Sequence, residues 1–249
     1  MNNILSIKNL SKKYYSKDSE ILAIKNININ VKENDFIAIV GPSGCGKSTL
    51  LSILSNIDKP TTGTIEYPNG YKKIGYMLQQ DCLFPWLSIL DNCLIGLKIQ
   101  KELTKDKKNK VINMLKKYGL ENFIYKYPNS LSGGMKQRVA LIRTLATNPD
   151  VLLLDEAFSA LDYQTRLKVS DDVYKIIKEE KKSVIIVTHD ISEAVSMCDK
   201  IIVLSNRPST IKNIYNIHLD NKSTPLKNRE SSNFSDYYKN IWKDIEHNV

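Results

Sequence analysis

A glycine-bracketed turn stands directly after an apolar run. Gly41-Pro42-Ser43-Gly44-Cys45-Gly46-Lys47-Ser48-Thr49 follows Phe36-Ile37-Ala38-Ile39-Val40 and precedes Leu50, Leu51, Ile53 and Leu54. The spacing is G-x-x-x-x-G-K-[ST] in a strand–turn–helix setting, the pattern of a phosphate-binding loop. Each residue type answers a physical need. Glycines let backbone N–H groups converge on phosphate oxygens with no Cβ in the way. The helix that follows points its positive end at the anion. Lys47 is expected to reach the β- and γ-phosphates, and the Ser48 hydroxyl to bind Mg²⁺. Cys45 reads as a small side chain in a tolerant position; the alternative is a redox brake on nucleotide binding.

A second apolar run, Leu152-Leu153-Leu154, ends in Asp155-Glu156. Asp155 suits Mg²⁺, because hard cations prefer oxygen ligands. Glu156 is then free to polarise an attacking water as general base. A third segment is Leu131-Ser132-Gly133-Gly134-Met135-Lys136-Gln137-Arg138. Ser132 has N-cap chemistry, and the two glycines leave the first helical N–H groups uncovered. One chain therefore carries two anion-seeking helix starts.

These groups need a scaffold. A chain of 249 residues makes one large domain, or one with an insert, and can fold without disulfides or a structural metal. Ile27-Asn28-Ile29-Asn30-Val31 alternates as a half-buried strand does. Phe36–Val40, Val151–Leu154 and Val184–Val187 are apolar throughout, as in strands covered on both faces. Ile74–Leu78 and Ile201–Leu204 read as further strands. From about 81 to 149 the pattern is helical, with Val111, Met114, Leu115 and Tyr118 on one face. The expected fold is α/β: a mostly parallel sheet with N-terminal antiparallel strands and an inserted all-helical subdomain. Its parts are a core (1–80 and 150–205), the helical insert (81–149) and a tail (206–249). Asp190 and Glu193 have capping-box spacing. Phe234, Tyr237, Tyr238, Ile241, Trp242 and Ile245 share one side of a terminal helix, expected to pack on the domain or to meet a partner protein.

The motifs in this order resemble an ATP-binding cassette protein, the nucleotide-hydrolysing subunit of an ABC transporter, over nearly the whole chain. Leu131–Arg138 resembles the family signature. The resemblance implies ATP and Mg²⁺ as cofactors. It implies a head-to-tail dimer, or a pair of such ATPases, in which Ser132, Gly133 and Gly134 complete the partner's phosphate loop. Gln79, or its neighbour Gln80, resembles the glutamine that touches Mg²⁺ and the water. His189 resembles the histidine that contacts the γ-phosphate, and Ser159-Ala160-Leu161-Asp162 the loop that crosses the dimer interface. Tyr14, with Tyr15 competing, resembles the aromatic that stacks on adenine. His218 and His247 lack such a setting and read as surface residues.

Asp81–Asn92, Ala160–Arg166 and the tail from Leu226 to Ile245 resemble the nitrate, sulfonate and taurine importer subfamily, features shared with importers of pyrimidine precursors. Membrane permease subunits and an extracellular or periplasmic solute-binding protein follow as expected partners. Phe84, Pro85 and Trp86 would receive a permease helix, and the cytoplasmic membrane face is the expected location. The surplus of 36 Lys and Arg over 27 Asp and Glu gives +9, which favours anionic partners without choosing one; no nucleic acid is expected. No apolar run approaches the ~18 residues a bilayer crossing needs, and no signal peptide is expected. Four cysteines with no C-x-x-C pair suggest reduced thiols. The rival readings are a soluble ABC-type ATPase and a small-molecule P-loop kinase. The first usually carries long coiled-coil inserts or paired cassettes; the second leaves Leu131–Met135 and His189 unexplained.

Overall fold

Alternate side chains of the short central strands enter two different cores. The computed structural model describes residues 3–15, 19–68, 70 and 72–246. Its elements run β1 (Asn3–Tyr15), β2 (Glu20–Lys32), β3 (Phe36–Val40), α1 (Lys47–Leu54), β4 (Thr62–Glu66), β5 (Ile74–Met77), α2 (Ile89–Ile99), α3 (Lys105–Lys117), α4 (Gly133–Ala146), β6 (Val151–Asp155), α5 (Tyr163–Glu179), β7 (Ser183–Val187), α6 (Ile191–Met197), β8 (Lys200–Leu204), β9 (Ile211–Asn216), α7 (Pro225–Asn228) and α8 (Phe234–Glu246). In β3, Phe36, Ala38 and Val40 join one core, while Ile37 and Ile39 join the other. The same division splits Leu152 and Leu154 from Val151 and Leu153 in β6. All five residues of β3 are buried, which is why the sequence shows a continuous apolar run rather than alternation.

The main sheet has the order β5-β6-β7-β3-β8-β9. From β5 to β8 neighbouring strands are parallel, and β9 closes the edge antiparallel to β8. One face packs on α1 and on the antiparallel sheet β2-β1-β4; the other packs on the helices between β5 and β6 and on the later helices. The expected α/β class, with antiparallel strands at the N-terminus and a helical stretch inside the parallel sheet, matches this arrangement.

Capping fixes where the helices begin. Ser88, Thr104, Ser132, Asp162 and Asp190 each accept a backbone N–H three residues on, worth about 1 kcal/mol apiece. At α6 only half of the expected capping box forms. Asp190 accepts from the Glu193 N–H at 3.1 Å, but Glu193 does not reach back; it is buried and accepts the Thr188 hydroxyl at 2.7 Å.

The tail holds the unanticipated strand β9 before the expected terminal helix. Ile241 of α8 is fully buried, with Phe234, Tyr237, Tyr238 and Ile245 packed on the main core. Trp242 is half-exposed and stacks on Tyr238. The helix face thus covers the domain, the plainer of the two expectations. His218 is exposed; His247 lies outside the described residues.

Candidate functional site: a phosphate-loop cleft

Parallel strands deliver their C-terminal ends to one side of a sheet, where ligands of open α/β folds bind. Here β3 leads into Gly41–Gly46, β6 into Glu156, β7 into His189 and β5 into Gln79. Asp155 pairs in register with Val187, so the β6 and β7 ends lie level.

The loop is held open by left-handed glycines. Gly44 (φ 71°) and Gly46 (φ 113°) occupy backbone conformations that a Cβ disfavours, and Gly46 is the cap of α1. The Gly46 cap offers no side-chain acceptor to the first N–H groups, which leaves them for an anion. Lys47 is largely buried, and its ammonium donates to the Gly41 and Pro42 carbonyls, both at 2.9 Å. Burial pushes the Cys45 thiol up, with the Lys47 ammonium 4.0 Å away only partly opposing it. A thiol held protonated in this way is a poor nucleophile, which argues for the small-side-chain reading over the redox brake.

Asp155 ends β6 and Glu156 follows it; because the chain turns between them, Glu156 lines the cleft while Asp155 reaches Ser48 at its edge. Glu156 has φ 44°, a left-handed conformation costing a non-glycine residue about 1 kcal/mol. Its N–H donates to the Val187 carbonyl at 2.9 Å, which fixes the turn. Asp155 accepts from Tyr76 at 3.0 Å and from Ser48 at 3.5 Å. Burial, with the neighbouring Glu156 charge behind it, holds the Asp155 carboxyl above the usual range, against those two donors. Burial and the Asp155 charge push the Tyr76 hydroxyl up, so it remains a donor.

Glu156 receives two further groups. Gln79 Nε2 donates to its Oε2 at 3.2 Å, and His189 Nδ1 lies 3.2 Å from the same oxygen. Gln79 also donates to Ser159 Oγ at 3.2 Å, an anchor that does not extend to Gln80. Ser43, Gly44, Gly46, Lys47, Ser48, Thr49 and Glu156 line a cleft of ≈ 300 Å³. The Tyr14 hydroxyl lies 3.5 Å from Thr49 Oγ1 and 3.2 Å from Asp58, which favours Tyr14 over Tyr15 as the aromatic beside this loop.

Ser132, Gly133, Gly134 and Asp162 do not line that cleft. Ser132 and Gly133 are exposed at the start of α4. The glycine pair is needed for packing as well as for open N–H groups. A Cβ on Gly134 would stand 2.7 Å from Val169 Cγ2, and one on Gly133 3.0 Å from Leu161 Cδ2. Asp162 caps α5, accepting from the Thr165 N–H at 3.1 Å.

The Asp155 clamp by Tyr76 had not been anticipated. Tyr76 pairs with Leu153 in register, two residues before the carboxylate, and its hydroxyl reaches forward along β6 to it. Chemically, the cleft presents backbone donors and an ammonium to phosphates, oxygen donors (Ser48, Asp155) to a hard cation, and a carboxylate flanked by an amide and an imidazole to a water.

A family model described as ABC transporter matches residues 24–159. The chain belongs to this family. It is accordingly an ABC-type ATPase, and ATP is its nucleotide. The uncharacterized ABC transporter ATP-binding protein YtlC of Bacillus subtilis (strain 168) is 44% identical to this ABC ATPase over 247 residues, 97% of this chain and 95% of the relative. The nitrate import ATP-binding protein NrtD of Synechocystis sp. is 39% identical over 231 residues, covering 90% and 86%. The solved dimer of the ATP-binding cassette MJ0796, in a post-hydrolysis state bound to ADP and Pi, aligns with a TM-score of 0.73 at 35% identity, covering 86% of this chain and 99% of that one.

Proposed function

We propose that this ABC ATPase powers uptake of a small solute, nitrate-, sulfonate- or taurine-like or a pyrimidine-type precursor, as a head-to-tail dimer beneath membrane permease subunits fed by a solute-binding protein. One observation carries the dimer. The cleft built by one chain holds Lys47, Ser48 and Glu156, whereas the second anion-seeking helix start, at Ser132, lies outside it. A second copy turned head to tail supplies that missing wall. The nitrate-import relative supports the direction of transport.

In this reading each γ-phosphate rests on Lys47, Gln79 and His189 of one copy and on Ser132 with the Gly133 and Gly134 amides of the other. The Asp162 loop crosses between copies, and Tyr14 stacks on adenine. Ser48, Asp155 and Gln79 would hold Mg²⁺. The hydroxyl and carboxylate oxygens, 3.5 Å apart, fit an ion that takes one or two protein ligands beside phosphates and water. When bound, the ion neutralises charge on the transferred phosphoryl group. Glu156 accepts the proton of the attacking water, and His189 and Gln79 keep its carboxylate aimed. ATP binding favours the closed dimer; cleavage removes the shared anion and resets it.

Among the described residues no helix is long and apolar enough to cross a membrane, which suits a peripheral subunit. Trp86 is 69% exposed, its ring tilted against Phe84 with centroids 5.3 Å apart, which supports a docking place for a permease helix. The test is to purify the membrane assembly and measure ATP cleavage with each candidate solute delivered by its binding protein. Stimulation by one solute class identifies it. A chain that purifies from membranes without a hydrophobic partner refutes the coupling to transport.

A further inference from the structure

The segment just after Gln79 is bolted to the helix that carries Ser132. Leu78, Gln79 and Gln80 are three exposed residues between the end of β5 and Asp81. Beyond them the chain is fixed. Arg143, on the last turn of α4, donates from Nη2 to the Asp81 carbonyl at 2.6 Å and from Nη1 to the Cys82 carbonyl at 2.7 Å. Two donors from one planar guanidinium fix orientation as well as distance. Asp81 presents those carbonyls by a turn of its own, its carboxylate accepting the Leu83 N–H at 3.0 Å. Asn92, fully buried in α2, holds the next stretch: it accepts from the Phe84 N–H at 2.8 Å and donates to the carbonyls of Phe84, Leu87 and Ser88 at 3.0–3.1 Å. The Cys93 thiol in turn meets the Val139 carbonyl of α4. Residues 81–88, α2 and α4 therefore form one block.

We propose that Arg143 is a positioning residue that links the two ATP sites of the dimer. This rests on the head-to-tail reading above. In that dimer Gln79 belongs to one site and Ser132 of the same chain to the other. From Ser132 to Arg143 is eleven residues of helix, about 16 Å at 1.5 Å per residue. A displacement of Gln79 by nucleotide pulls on Asp81, and the Arg143 fork passes that pull to α4 and hence to the opposite site. Reciprocity requires the signature end to act back on Gln79 equally.

The test compares ATPase rate against ATP concentration for the full chain, Arg143→Lys and Asp81→Ala. Lysine keeps the charge and stem but cannot span two carbonyls as a fork does; alanine at 81 removes the turn that presents them. The wild type is expected to show a Hill coefficient between 1 and 2, and both variants to fall towards 1, with nucleotide binding to the monomer within about 2-fold of wild type. A merely structural arginine would lower the melting temperature and leave the coefficient alone. A wild-type coefficient of 1, or an unchanged coefficient in folded Arg143→Lys, overturns the proposal. Should Arg143→Lys not fold, an unchanged coefficient in Asp81→Ala does so. Size-exclusion chromatography of the Glu156→Gln chain with ATP separates the two readings. No dimer overturns the composite site and this coupling with it; a dimer with unchanged cooperativity overturns the coupling alone.

Discussion

Glu193 is a buried carboxyl whose protonation depends on what packs around it. It is 5% exposed, one oxygen accepts the Thr188 hydroxyl, and the other finds no hydrogen-bond partner among the described residues. Burial raises its pKa from 4.5 to about 7; Asp190 pushes the same way, while Thr188 and the guanidiniums of Arg166 and Arg229 resist. The unfolded chain gives up this proton near 4.5, and the folded chain keeps it to about 7. Between those values the native state binds more protons, so stability falls as pH rises and levels off above 7. The span is roughly 2.5 units, which at 1.36 kcal/mol per unit amounts to ~3 kcal/mol. Glu193→Gln keeps an acceptor for Thr188 and removes the titration. Urea denaturation of both proteins from pH 4 to 8.5 reads the difference between them. That subtraction cancels carboxylates such as Asp58, which the Lys12 hydrogen bond holds low and which lose their contribution only in acid. The variant is expected to gain ~3 kcal/mol on wild type between pH 4 and 8.5, or ~6–12 °C in melting temperature for a chain of this size. Parallel pH curves would mean that Glu193 titrates in the folded chain as it does in the unfolded one, its burial offset by the two arginines, and would refute the reasoning.

Three further outcomes test the cleft. Glu156→Gln should leave ATP binding intact and cut steady-state turnover by at least ~10²-fold, the usual range for a lost general base; unchanged turnover in the assembled complex removes Glu156 from that role. Lys47→Ala should abolish high-affinity nucleotide binding in a titration with a fluorescent ATP analogue, and wild-type affinity would contradict the phosphate cradle. Ser132→Arg should bind ATP as a monomer but form no ATP-dependent dimer by light scattering; a normal dimer counts against the composite site.

Much of this architecture could be read from residue order because the motifs are local. The phosphate loop and its strand occupy fourteen consecutive residues, 36–49, and β6 and β7 declare double-sided burial by having no polar residue between their first and last positions. Strands with open faces were harder. β9 has four exposed or nearly exposed residues among its six, so neither alternation nor an apolar run marked it. Asp190–Glu193 carried the right spacing for a reciprocal cap, yet burial gave Glu193 a different donor. Arg143 reaches backbone carbonyls 61 and 62 residues earlier in the chain. No periodicity encodes a side chain that reads main-chain atoms at that separation, and the glycine pair at 133–134 likewise concealed its contacts with Leu161 and Val169 until the helices were packed.

The Lys47 ammonium, already paired with two loop carbonyls, sets a threshold for entry. A loop built this way has little to offer chloride or a lone weak acid, since such a visitor returns too little for the two carbonyl bonds it would disturb. A polyphosphate tail, bringing several strongly charged oxygens together, clears that barrier. The loop thereby screens its visitors by charge density before any shape matching with the base begins.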